Sequence, residues 1–176
     1  LFHGEQAIII ATLVPPGAKG PARHKHTSDQ IYVIAEGEIT IELGSDVQSA
    51  GPGSAIYIPA GVPHCNWNAG SQDDVHLEVI APGVLPISPV AEATDDRDTN
   101  DLPYFITPAG ENRVVPMDGF AVDWLVDRQR GSEHAVVNLA EVAPGSSGPP
   151  LHVHDFDQFY FVIEGTLSVK MAGDMK

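Results

Sequence analysis

The chain of 176 residues is 43% hydrophobic and 19% charged, the balance of an ordinary globular protein rather than a disordered or collagen-like one. Its 24 acidic and 9 basic side chains leave a formal net charge of −15; a field of that sign repels phosphate backbones and anionic lipid and argues against nucleic-acid and membrane partners. The longest strongly apolar run, Ala7 to Val14, stops at Pro15-Pro16, far short of the roughly 20 residues a membrane-spanning helix needs.

Taken in chain order, the apolar runs are short and rich in β-branched residues: Ala7–Val14, Ile31–Ala35, Ile39–Leu43, Ala55–Ile58 and Val75–Ile80. Each is bounded by Gly, Pro, Asn or Asp, which predicts strands of a sandwich or barrel. Ala81 to Pro116 is rich in Pro, Asp, Asn and Gly, and its stretch Glu92–Asp101 is acidic without an apolar period, which predicts a linker or surface excursion. The strand texture returns at Phe120–Val126, Ala135–Val142, Phe159–Ile163 and Thr166–Met171. With 17 Gly and 15 Pro, no window suits a long amphipathic helix, so the predicted class is all-β. The lone Cys65 can close no internal disulfide, and a reducing, cytoplasmic setting is expected.

The chain also repeats itself. A shift of 128 residues aligns Val14–Gly37 with Val142–Gly165 without a gap, and 12 of those 24 positions are identical. A period that long is a duplicated domain rather than a solenoid unit. On that spacing the second unit should run to about residue 210, so it is expected to be incomplete here.

The repeated positions carry chemistry. His24-Lys25-His26 puts two imidazoles on one face of an extended segment, and Gln30 can join them if the strand bends. Gly37 then permits a tight turn. Downstream, Gly53-x5-Pro59-x-Gly61-x2-His64-x3-Asn68 sets a third His after a Pro/Gly turn, on a strand that can lie against the first. Three imidazoles and an amide oxygen suit a divalent transition metal with open positions. Eight His in 176 residues would give about 0.4 His-x-His pairs by chance. The chain has two, His24/His26 and His152/His154, each followed by Gln (Gln30, Gln158) and Gly (Gly37, Gly165) at the same offsets.

These strings resemble the two signature motifs of the cupin superfamily, and the duplication resembles a bicupin. All fixed positions match in the first unit except that Gln30 stands where cupins usually carry Glu; in the second unit His152, His154 and Gln158 match the first motif alone. The resemblance implies duplicated small antiparallel β-barrels of the double-stranded β-helix type: a first barrel over 1–82, a linker over 83–118, and the N-terminal part of a second barrel over 119–176. It implies metal ligation by His24, His26, Gln30 and His64, and by His152, His154 and Gln158 in the second unit. The candidate metals are Fe(II) first, then Mn(II), Ni(II), Co(II) or Zn(II).

A neutral Gln cannot accept a proton, so the site keeps its full 2+ charge and should favour an anionic chelating substrate. Tyr32 and Tyr160, two residues beyond each Gln, are expected on the same inward face and are the candidate catalytic phenols. Cys65 should point away from the metal, and Trp67 should pack between barrels or subunits. His3, His76 and His134 fit no pattern. The leading expectation is quercetinase-like dioxygenation of a small chelating molecule (a flavonol, enol or diketone) with O2 as co-substrate, in a homo-oligomer, a dimer. The first alternative is redox-neutral isomerase or lyase chemistry on a 2-oxo acid or sugar-derived molecule. The second is a non-enzymatic small-ligand binder.

Overall fold

Short β-branched runs separated by glycine and proline leave antiparallel pairing as the way to satisfy the backbone. The computed structural model of the chain describes residues 2–3, 6–83, 87–89, 104–171 and 174–175. Among the described residues eleven strands build two sheets: β1 (Phe2–His3), β2 (Ile8–Val14), β3 (His24–His26), β4 (Asp29–Glu36), β5 (Ile39–Leu43), β6 (Asp46–Ala50), β7 (Ala55–Ile58), β8 (His64–Trp67), β9 (Asp74–Ala81), β10 (Ile87–Pro89) and β11 (Phe105–Thr107). The six-stranded sheet runs β1-β2-β9-β4-β7-β11 and the five-stranded sheet β10-β3-β8-β5-β6. Tyr32, Ile34, Ile56 and Ile58 of the first meet Ile39, Ile41, Leu43 and Ala50 of the second in one buried cluster, the barrel interior. Among the described residues the one helical element is a 3-10 turn at Arg128–Arg130, and no helix is long and apolar enough to cross a membrane.

The five apolar runs of the first unit become β2, β4, β5, β7 and β9. Gln30 is reached differently from expectation. The chain does not bend within one strand but leaves the five-stranded sheet after His26 and enters the six-stranded sheet at Asp29. The segment read as a linker supplies β10 to one sheet, against His24–His26, and β11 to the other, against β7. Glu92–Asp101 lies outside the described residues.

After residue 112 come β12 (Arg113–Met117), β13 (Phe120–Val126) and β14 (Val137–Val142), a three-stranded antiparallel sheet in that order. β13 and β14 cover the outer face of the six-stranded sheet: Leu125 and Val126, with Ala135, Val137 and Leu139, pack on Ile31, Val33, Ala55 and Tyr57. Trp67 takes no part in this contact: it sits half-buried on β8 in the other sheet.

The strands expected at Phe159–Ile163 and Thr166–Met171 are not formed, apart from a two-residue β15 (Lys170–Met171) paired with β16 (Asp174–Met175). The reason lies in pairing. In the first unit β4 is held by β7 and β9. Among the described residues no strand runs alongside 159–163 as these two do along β4. A strand without neighbours has no ladder to satisfy its backbone.

Candidate metal centre

His24 and His26 are buried on β3 while Lys25 between them is exposed, as a period of two requires. β8 lies antiparallel alongside, with His64 directly opposite His24. The Pro59-x-Gly61 turn that delivers His64 is held by two successive amides: that of Ala60 donates to Asp29 Oδ1 (3.0 Å) and that of Gly61 to the His26 carbonyl (2.9 Å). Cys65 alternates to the other side and is half-buried, near Glu42.

The imidazoles are oriented from behind. His24 Nδ1 donates to the Ala22 carbonyl (2.8 Å) and His64 Nδ1 to the Val62 carbonyl (2.9 Å). A carbonyl only accepts, so both rings carry their proton on Nδ1 and offer Nε2 as a lone pair. His24 Nε2 stands 3.2 Å from His26 Nε2, and one ligand nitrogen of each of the three rings lies within 4.8 Å of the others. The 3.2 Å edge matches the roughly 3.0–3.4 Å between two nitrogens that share a metal at about 2.1 Å. Burial drives the His64 pKa down to about 3, against the pull of its Val62 hydrogen bond, and neighbouring His24 and His26 push the same way. His64 is therefore neutral at working pH, the form that binds metal.

Gln30 enters the interior from β4 in the opposite sheet, on the same face as Tyr32 and Ile34. Its amide nitrogen donates to Glu78 Oε2 at 2.7 Å. Its carbonyl oxygen and His64 Nε2 are both buried with no hydrogen-bond partner. Buried acceptors are rarely left so, and a nitrogen-rich set completed by an amide oxygen fits a divalent transition ion.

Behind Gln30 lies a buried polar network that the sequence reading missed. On β9, Asp74, His76 and Glu78 occupy alternate positions. His76 Nδ1 bonds Asp74 Oδ2 (2.6 Å), His76 Nε2 stands 3.6 Å from Glu78 Oε1, and that oxygen accepts from the Thr12 hydroxyl (2.6 Å). Tyr32 packs on His76 with ring centroids 4.9 Å apart. Burial alone would push the His76 pKa down; the bonds to Asp74 and Glu78 outweigh it and hold it at about 9. Burial likewise works to raise Glu78, but His76, Thr12 and Gln30 keep it below the usual carboxylate value. Burial, with Glu78 and Asp74 nearby, pushes the Tyr32 phenol well up, so it stays protonated. The signal was available as the alternation Asp-x-His-x-Glu along an apolar strand.

The second unit repeats the local design without the enclosure. His152 Nδ1 bonds the Pro150 carbonyl (2.6 Å) and His152 Nε2 stands 3.0 Å from His154 Nε2. The two rings meet at 4.7 Å and 87°, against 4.9 Å and 87° for His24 and His26. All of His152, His154, Gln158 and Tyr160 are exposed, so Tyr160 does not face a core as expected.

Residues 11–81 match the Cupin domain family. The chain is 30% identical over 88 residues to an uncharacterized protein of Methanocaldococcus jannaschii, covering 50% of this chain and 68% of that protein. It is 29% identical over 93 residues to an auxin-binding protein of Nicotiana tabacum, covering 46% of this chain and 49% of the tobacco protein, so it spans about half that protein's length. Among solved structures, a Pseudomonas aeruginosa protein named as glyoxylate-induced superposes with a TM-score of 0.59 at 18% identity, over 80% of this chain and 51% of that one, a likeness of fold.

Proposed function

The chain belongs to the cupin superfamily, and on that premise we propose that its first barrel is a metal-dependent enzyme site that dioxygenates a small, anionic, metal-chelating molecule. One observation carries the reading: three buried imidazoles converge with His64 Nε2 left unpartnered, and Gln30 Oε1 is a second orphaned acceptor on the interior face. His24, His26, His64 and Gln30 would hold the ion, each through an uncharged donor type. Bound there, a divalent ion supplies Lewis-acid polarisation and, for redox-active metals such as Fe(II), electron transfer to O2. The 2+ charge, which none of these four ligands offsets, favours an enolate, catecholate or 2-oxo acid over a neutral ligand. Ile34, Ile56 and Ile58 make the adjoining interior apolar, and the protonated Tyr32 offers a hydrogen-bond donor rather than a base.

Redox-neutral isomerase or lyase chemistry is the second reading. It is favoured by the Tyr32–His76 contact, which puts a phenol ring and an imidazole side by side, 4.9 Å between centroids. Purification without chelators followed by elemental analysis should find about one metal per first barrel, and His64→Ala should lose it while remaining folded. Oxygen uptake matched to loss of a flavonol, diketone or 2-oxo acid supports the dioxygenase. Turnover without uptake selects the second reading, and neither metal nor turnover would leave a ligand-binding barrel.

We further infer that residues 119–176 are the N-terminal part of a second cupin barrel. Three features support this: the twelve identities, the repeated His-pair geometry, and the superposition on a cupin-fold structure over 80% of the chain, well past residue 82.

A further inference from the structure

We propose that Glu78 is the positioning residue for Gln30: it grips the amide by its nitrogen and thereby commits the carbonyl oxygen to the cation. The inference rests on the reading of the three histidines as a metal centre and adds to it a residue outside the ligand set. The decisive contact is Gln30 Nε2 to Glu78 Oε2 at 2.7 Å. The reversed amide would set its oxygen against a carboxylate oxygen at that distance, a repulsion between two acceptors. The carboxylate thus fixes which end of Gln30 remains, and the remaining end is the buried, unpartnered Oε1.

Glu78 is itself immobilised. Its Oε1 accepts from Thr12 on β2 (2.6 Å) and faces His76 Nε2 (3.6 Å), and His76 is anchored by Asp74 (2.6 Å). Both carboxylate oxygens are occupied, so Glu78 acts through Gln30 rather than as a ligand. β9 lies between β2 and β4 in the sheet, with Tyr32 opposite Glu78 and Ile80 opposite Gln30. Three adjacent strands therefore each contribute one member: Thr12, Glu78 and Gln30. A ligand amide would otherwise rotate freely between two nearly isosteric orientations, of which one presents hydrogens to a cation. Groups that orient ligands in this way are typically worth about 10–100-fold in metal affinity.

The test is Co(II) binding to the whole chain, by calorimetry and by the visible d–d absorption of the bound ion, a signature of ligand number and type. Compared are wild type, Glu78→Gln, Thr12→Val and Gln30→Ala. Expected is tight binding to wild type and a loss of about 10–100-fold in Glu78→Gln. The Glu78→Gln spectrum should shift toward that of Gln30→Ala, and Thr12→Val should move the same way by less. Should Glu78→Gln fail to fold, Thr12→Val decides, because it removes only the hydroxyl that pins Glu78. Wild-type affinity and spectrum in both variants, with Gln30→Ala impaired, would overturn the role of Glu78 and leave the metal centre standing. An unaltered Gln30→Ala would remove Gln30 from the site and the inference with it. No Co(II) binding by wild type would defeat the metal reading itself.

Discussion

A histidine with no exposed surface ordinarily loses its proton, because burial penalises the charged ring. His76 keeps it, since Asp74 and Glu78 flank it on its own strand and hold its pKa at about 9. From the neighbouring strands it meets the Tyr32 phenol, which stays protonated, and the uncharged Thr12. The folded-state pKa is raised above the unfolded value of about 6.5. Its contribution is therefore fully present below pH about 6.5 and is lost as pH rises through about 9. The predicted stability advantage of wild type over His76→Gln is on the order of 2–3 kcal/mol at pH 6 and fades by pH 9.5. Urea midpoints at pH 6, 7.5 and 9.5, with a chelator present, measure it. A constant difference across that window would mean the ring is neutral in the fold.

The elements show how one turn can be made twice under different constraints. Gly37 and Gly165 occupy equivalent repeat positions and share a left-handed backbone, with φ of 71° and 79°. A Cβ at Gly37 would stand 2.1 Å from the Asp73 carbonyl oxygen, whereas at Gly165 it meets nothing within 4 Å. Gly165→Ala should cost only the left-handed conformation, about 1–2 kcal/mol. Gly37→Ala adds a collision with backbone that cannot step aside and should cost at least twice that. Thermal melts of the two variants decide; equal losses would mean that conformation alone matters.

The same contrast shows what the sequence made legible. β4, β5, β7 and β9 announce themselves by apolar runs, and the Pro/Gly turn before His64 announces a strand that can lie against His24–His26, although its register, His24 opposite His64, comes from the structure. β6 escapes notice because it is an edge strand of mostly exposed residues, Asp46–Ala50. β10 and β11 escape because three-residue edge strands in a Pro-rich segment carry no period. The Glu78–Gln30 contact joins residues 48 apart and depends on the register of β9 against β4, which periodicity within either strand leaves open.

At the scale of the whole molecule, the first barrel is not a separate body. β4 is buried along both faces, Tyr32 and Ile34 inside the barrel and Ile31 and Val33 beneath β13 and β14. That explains why Ile31–Ala35 reads as a continuous apolar run rather than an alternating one. Leu125, fully buried, lies at the centre of the contact, its carbonyl accepting from the Thr107 hydroxyl (2.8 Å), and the Tyr57 hydroxyl reaches the Gly131 carbonyl at 3.1 Å. Such a shared core should make the two parts unfold together. The chain has two tryptophans, Trp67 on β8 of the barrel and Trp124 on β13 of the covering sheet, so Trp124→Phe and Trp67→Phe each leave one reporter. The midpoints followed by the two reporters should coincide. Leu125→Ala should lower both by the same amount, a loss of about 2–5 kcal/mol for a buried leucine truncated in a shared core. If the Trp124 signal melts early while Trp67 is unmoved, the covering sheet is an appendage, and the outer face of β4 is stable without it.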